Sequence, residues 1–263
     1  TDVSIASNGD NAIYAADGAN VNLNGGVSLD VTGTGAVSGI KANGGNVTVG
    51  GSKAVVKAST TGAGQTAYAL NNTGSGDITI NNTGNVELTA SSANGAAQAI
   101  GNSGTGKVTV ATTGQVSFDV TGLTAKGLYN TTSQGAGVTV SAAQGSNYAV
   151  TATSGDAYGI AASGDNTLAY GKVNNVTVTA TKGDAYGLAA INGATLSGDA
   201  NSAVRNITVT ANTADNAAYG VYAASGSTVK GAAAGSLTVE SAGAGVGISA
   251  ADNSSVSVKA DSL

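Results

Sequence analysis

The sequence predicts an all-β fold, a single-stranded parallel β-helix (β-solenoid) of about nine triangular coils of roughly 28 residues. Two observations carry this. An aliphatic residue preceded by Ala or Gly recurs at Ile13, Ile40, Leu70, Ile100, Leu128, Ile160, Leu188, Val221 and Ile248, with gaps of 27, 30, 30, 28, 32, 28, 33 and 27 residues. Periods of this size mark solenoids and arrays. Each unit also holds three short stretches in which apolar and polar residues alternate, the period of a half-buried strand, and none with the period of a helix.

The first strand of each coil carries the landmark, as in Tyr158-Gly159-Ile160-Ala161-Ala162. The second begins about eight residues later, at Val21, Val47, Ile78, Val108, Val138, Leu168, Leu196, Val229 and Val256. The third often follows after a similar interval, as in Val86-Glu87-Leu88-Thr89-Ala90 and Val176-Thr177-Val178-Thr179-Ala180. Gly, Asn, Ser and Asp separate the strands, supplying positive φ and side-chain turn bonds. One coil cannot bury its own apolar face. Stacked coils, spaced about 4.8 Å, pair each strand with its neighbours and make a rod on the order of 40 Å long. With no break in composition, residues 1–263 read as one domain. Extra length falls at Ser133 to Gly137 and at Ser197 to Arg205, read as loops.

Composition narrows the function classes. There is no His, Cys, Met, Trp or Pro, so a Ser-His-Asp triad and a Cys-based metal site are excluded. The net charge is −5 and the ten basic residues are scattered singly, which argues against nucleic acid as a partner. No apolar run approaches the roughly 18 residues of a membrane span. Sugar chemistry would need two carboxylates on neighbouring strands. Glu87 and Asp119 sit in adjacent third strands, but at different offsets and without a basic cluster beside them. The chain therefore reads as non-enzymatic, with no cofactor. Asp156, Asp165 and Asp184 lie in Gly-Asp turns, as turn formers or, alternatively, as ligands of a structural Ca²⁺. The Thr-x-Thr pairs Thr177/Thr179 and Thr208/Thr210 read as solvated β-formers rather than an ice-binding array, because charges interrupt the ladder.

Two columns suggest contact surfaces. Two residues before the landmark, Tyr158, Tyr186 and Tyr219 recur, as a structural aromatic ladder or as a sugar-stacking stripe. One residue after it come Tyr14, Tyr129 and Tyr222, expected to point outward and to be the better candidates for surface contact. The invariant small residue before the landmark, including Gly159, Gly187, Gly220 and Gly247, is also expected to point outward. It would mark either a tight backbone path or a flat face for lateral packing against another rod.

The Ala-Tyr-Gly-aliphatic strands (Ala157 to Ile160, Ala185 to Leu188, Ala218 to Val221), followed by Gly/Asn turns and Val-Thr-Val strands, resemble the passenger region of bacterial autotransporters. That resemblance implies a right-handed β-helix exposed at the cell surface or outside the cell, with adhesion or self-association as its role. It carries over no functional residue, and no signal peptide, translocator barrel or C-terminal cap is seen. The expected partners are a second copy of the chain, laterally or end to end, and host or bacterial surface glycans. For end-to-end stacking into a fibre, the candidate edges are Val3 and Ile5 in a third-type strand and Val256 and Val258 in a second-type strand. A carbohydrate-active enzyme is the remaining alternative.

Overall fold

Short runs of Val, Ile, Ala and Thr between Gly, Asn and Ser corners leave the backbone one economical way to satisfy its N–H and C=O groups, against the next coil. A computed structural model of the chain describes residues 2–131, 137–198 and 204–260, and every ladder between its strands is parallel. The landmark strands, from Asn11–Ala16 through Ala157–Ser163 to Ala244–Ala250, stack as a nine-stranded sheet. Its nine strands are joined by eight successive pairings, so the solenoid makes about eight turns. The second and third strands form the other two sides of the triangle. They merge into one 17-stranded sheet because the strand Thr228–Ser241 continues through a corner and pairs with both Thr195–Gly198 and Val204–Ala211.

The register repeats so closely that like sits on like. Val86 faces Val116, Leu88 faces Phe118 and Ala90 faces Val120 in the following coil, and all six are buried. These columns fill the interior, as alternation predicts. The core also holds larger groups than a purely aliphatic reading suggests. Phe118 and Tyr148 stack inside it with centroids 4.3 Å apart and planes 9° apart, and Tyr170 is buried with its hydroxyl donating to the Lys230 carbonyl at 3.4 Å. One inner corner is polar. Asn72, Asn102 and Asn130 are buried one above another. Asn72 Oδ1 accepts from the Gly74 N–H at 3.3 Å, and Asn102 Nδ2 donates to the Gly106 carbonyl at 3.2 Å. An outer corner carries a second amide ladder. Asn175 Nδ2 donates to Asn147 Oδ1 at 2.7 Å, and Asn206 Nδ2 donates to Asn175 Oδ1 at 2.9 Å.

One sequence expectation is corrected. The small residues before the landmarks point inward, not outward. A Cβ on Gly159 would lie 2.6 Å from Val176 Cγ1 and 2.7 Å from the Gly187 carbonyl oxygen. On Gly187 it would lie 2.7 Å from Ile207 Cγ2, and on Gly220 2.5 Å from Leu237 Cδ1. Gly247, in the last coil, faces Leu237 at 3.7 Å. Strict alternation fails here because the strand bends. The ladder matches Tyr158 with Tyr186 and Ile160 with Leu188, passing over the glycines, and both Gly159 and Ile160 are buried. The column is therefore a tight backbone path against the third strand and not a flat lateral face.

Val3 and Ile5 lie in the strand Val3–Ser7, paired with Val27–Gly33. Val256 and Val258 lie in Ser255–Ala260, paired with Thr228–Ser241. All four pack against the core. Of the loops read from sequence, residues 133–136 and 199–203 lie outside the described residues.

Candidate functional site

The bend at the small residue has a consequence for the surface. It turns two positions of each landmark strand outward, the one two before the landmark and the one just after it. Two parallel columns of side chains therefore run along the outer face of the nine-stranded sheet. Of the nine tyrosines, seven lie in strands of this sheet: Tyr14, Tyr68, Tyr129, Tyr158, Tyr186, Tyr219 and Tyr222. None of the seven is buried, whereas Tyr148 and Tyr170, on the other sides, are core residues.

At the C-terminal end of this face the rings form a continuous patch. Tyr158 and Tyr186 stack with centroids 4.7 Å apart and planes 4° apart, and Tyr186 and Tyr219 at 5.1 Å and 7°. Tyr129 tilts onto Tyr158 at 5.8 Å, and Tyr222 tilts onto Tyr186 and Tyr219 at 5.4 and 4.9 Å. The ladder reading therefore holds for Tyr158, Tyr186 and Tyr219. Stacked rings spend their faces on each other and offer mainly edges and hydroxyls to solvent. Tyr129 and Tyr222 point outward as expected, but they lie against the ladder. Tyr14 stands apart near the N-terminal end and is half exposed, at 50%.

The aspartates of the Asp-Ala-Tyr-Gly units anchor the ladder. Asp156 Oδ2 accepts from the Tyr158 hydroxyl at 3.3 Å, and its Oδ1 accepts from the Asp184 N–H of the next coil at 3.0 Å. Asp184 repeats the pattern, with the Tyr186 hydroxyl at 3.2 Å and the Ala217 N–H at 2.7 Å. These carboxylates thus act as turn and coil-to-coil acceptors. Burial, helped by the aspartate charges, pushes the Tyr158 and Tyr186 phenols well above the ordinary tyrosine range.

Between the isolated Tyr68 and the patch the aromatic series is interrupted, and a recess opens. In the strand Ala96–Asn102 the two outward positions hold Gln98 and Gly101. Tyr68 and Asn71 belong to the coil before, Lys126 and Tyr129 to the coil after. Gly101 has no side chain to fill the space between them. A Cβ there would lie 2.8 Å from Tyr68 Cε1 and 2.9 Å from Gln98 Oε1, so the Tyr68 ring leans over this glycine. The result is a recess of about 220 Å³ lined by Tyr68, Asn71, Gln98, Gly101, Lys126 and Tyr129, among others. Lys126 Nζ sits 3.6 Å from the Tyr129 ring centroid, a cation–π contact. Burial lowers the Lys126 amine from its ordinary range, against the raising effect of Asp156.

The sequence reading picked out Tyr129 and Tyr222 but missed Tyr68, Gln98, Gly101 and Lys126 as members of one site. A signal was available: in the column that later becomes the Tyr ladder, Gln98 and Lys126 stand between Tyr68 and Tyr158. The structure keeps Glu87 and Asp119 apart by two register positions, since Glu87 faces Ser117 and Asp119 faces Thr89. Among the described residues no group of three or more carboxylates gathers as a metal site. No protein-family model, curated protein or solved structure matches the chain.

Proposed function

We propose that this β-solenoid is a non-enzymatic bacterial surface rod of the autotransporter-passenger kind. It works by adhesion or self-association, and the outer face of the nine-stranded sheet is its contact surface. The observation that carries the reading is the segregation of every non-core tyrosine onto that one side of the triangle. Tyrosine gives large, rigid contact area with a polar handle at little conformational cost, and it is enriched where proteins meet partners. A rod with one aromatic side and two sides of Thr, Ser, Asn and scattered charge presents a directional surface. The partners this suits are surface glycans and a second copy of the chain.

The test is a bead assay. Fluorescent beads coated with the purified chain are mixed with bacterial and host cells and with uncoated beads. The reading predicts cell-bound or self-clustered beads, and loss of that binding in the double variant Tyr129→Ser/Tyr222→Ser, whose rings border the patch. Binding that ignores this double variant and a Tyr14→Ser/Tyr68→Ser pair would place the contact elsewhere.

A further inference from the structure

The recess over Gly101 differs in chemistry from the Tyr ladder beside it. Its walls are aromatic at two ends, Tyr68 toward the N-terminal coils and Tyr129 toward the C-terminal ones. The Gln98 amide offers a donor and an acceptor between them, and Asn71, whose Nδ2 donates to Ser38 Oγ at 3.3 Å, adds its amide oxygen. Among the described residues one cation, Lys126, lines it and no carboxylate does, in a chain of net charge −5. Small-molecule pockets for whole drug-sized ligands run to about 300–1,000 Å³. At about 220 Å³ this recess has room for one ring rather than several. Aromatic walls suit the C–H face of a sugar ring, amides suit its neighbouring hydroxyls, and a half-buried ammonium suits a carboxylate.

We infer that this recess is a subsite for a single pyranose ring bearing a carboxylate, a uronic-acid-type unit of an acidic polysaccharide. The inference deepens the contact reading and rests on it. Gln98 hydrogen-bonds the ring hydroxyls with the Asn71 amide oxygen beside it, the Tyr68 ring holds the apolar surface, Tyr129 closes the far end with Lys126 over its face, and Lys126 meets the carboxylate. Gly101 is the specificity-determining position, because any side chain there displaces the Tyr68 ring and Gln98 into the recess that the sugar ring would occupy. Its φ lies outside the left-handed region, so the backbone accepts other residues. The nearest neighbours crowding a Cβ are the Tyr68 and Gln98 side chains, which can move.

The experiment titrates the full chain with D-glucuronate and, separately, with D-glucose, read by ligand-observed NMR and by the side-chain amide signals of Gln98 and Asn71. The inference predicts saturable binding of glucuronate that shifts those two amides and weakens with salt, and glucose binding about tenfold weaker or less. Lys126→Gln brings glucuronate down to the level of glucose, and Gly101→Leu abolishes both, with the circular dichroism spectrum unchanged. Should Gly101→Leu fail to fold, the amide shifts of the unaltered chain decide. No saturable glucuronate binding, equal binding of glucose, or shifts confined to other residues would overturn the inference. Tyrosine-dependent bead adhesion alongside absent glucuronate binding overturns the subsite alone. Adhesion that ignores the whole tyrosine face overturns the contact reading, whatever the titration shows.

Discussion

Tyr158 and Tyr186, 28 residues apart in sequence, stack with ring planes 4° apart, and each hydroxyl donates to the aspartate two residues before it. The repeat thus encodes the ring, its spacing and its anchor in one Asp-Ala-Tyr-Gly unit. The coil spacing of a β-solenoid, about 4.8 Å, is close to the best stacking distance of two aromatic rings.

Loss of a ring from the middle of this ladder costs stability that loss of an isolated one does not. Tyr186 stacks on Tyr158 and Tyr219 and meets Tyr222. Each aromatic pair contributes about 0.5–1.5 kcal/mol beyond area burial. Tyr186→Ala is expected to destabilise by about 2–4 kcal/mol, whereas Tyr14→Ala, half exposed, stays within about 0.5 kcal/mol. Tyr186→Phe keeps the stack and loses one hydrogen bond, about 1 kcal/mol. Denaturation midpoints of the three variants check this ranking, and equal midpoints for Tyr186→Ala and Tyr14→Ala would contradict it.

Asp184 links two coils through the Ala217 N–H at 2.7 Å. Asp184→Ala leaves that donor without its acceptor and is expected to cost about 1–3 kcal/mol. Hydrogen exchange at the Ala217 amide should accelerate in this variant while exchange in the Val86–Ser92 strand stays unchanged.

The small residue before each landmark is set by interior space. Gly159→Val puts a branched side chain where a Cβ alone already meets Val176 at 2.6 Å and the Gly187 carbonyl at 2.7 Å. Overpacking of this kind costs about 1–3 kcal/mol. Gly245→Ala, whose nearest neighbour is Val239 Cγ1 at 3.7 Å, is expected to be close to neutral. Thermal unfolding of the two variants separates them.

High pH should unfold the rod from its tyrosines. Tyr158 and Tyr186 are raised by burial first, then for Tyr158 by Asp156 and for Tyr186 by Tyr158 and Asp184. Tyr148 in the core is raised mainly by burial, with Tyr170 adding to the shift and a hydrogen bond with Ser146 opposing it. A phenol whose pKa is higher in the folded state than in the unfolded one contributes its full stability below the unfolded value, about 10. That stability is lost as pH rises above this value toward the folded one. Tyrosinate absorbance from the ladder and core phenols is therefore expected to appear only above that value, together with loss of β structure. A single phase near pH 10 with β structure retained would contradict this.

The architecture was legible in the sequence because each structural need has a residue pattern of its own. The landmarks give the period, alternation gives the strands, and Gly, Asn and Asp give the corners. The register followed as well, since Val86 does face Val116 and Thr177 does face Thr208. What alternation could not show is the bend that buries Gly159 beside Ile160. That bend decides which side chains share the outer face, so the recess around Gly101 stayed hidden. Its residues come from three coils and become neighbours only through stacking. Tyr148 and Tyr170 were invisible as core groups for a related reason: a tyrosine in a strand looks the same on either face until the neighbouring coil is in place.

The central claim is that one side of the triangle makes the contacts. Its most direct measurement compares bead adhesion for two variants carrying equal numbers of outward changes. One is Tyr68→Ser/Tyr129→Ser/Tyr222→Ser on the nine-stranded sheet. The other is Thr79→Ser/Thr109→Ser/Thr139→Ser on the second-strand side, where the three threonines stack in register. Loss of adhesion in the first with full adhesion in the second is the result this structure predicts. Equal adhesion of both, or loss only in the second, would contradict it.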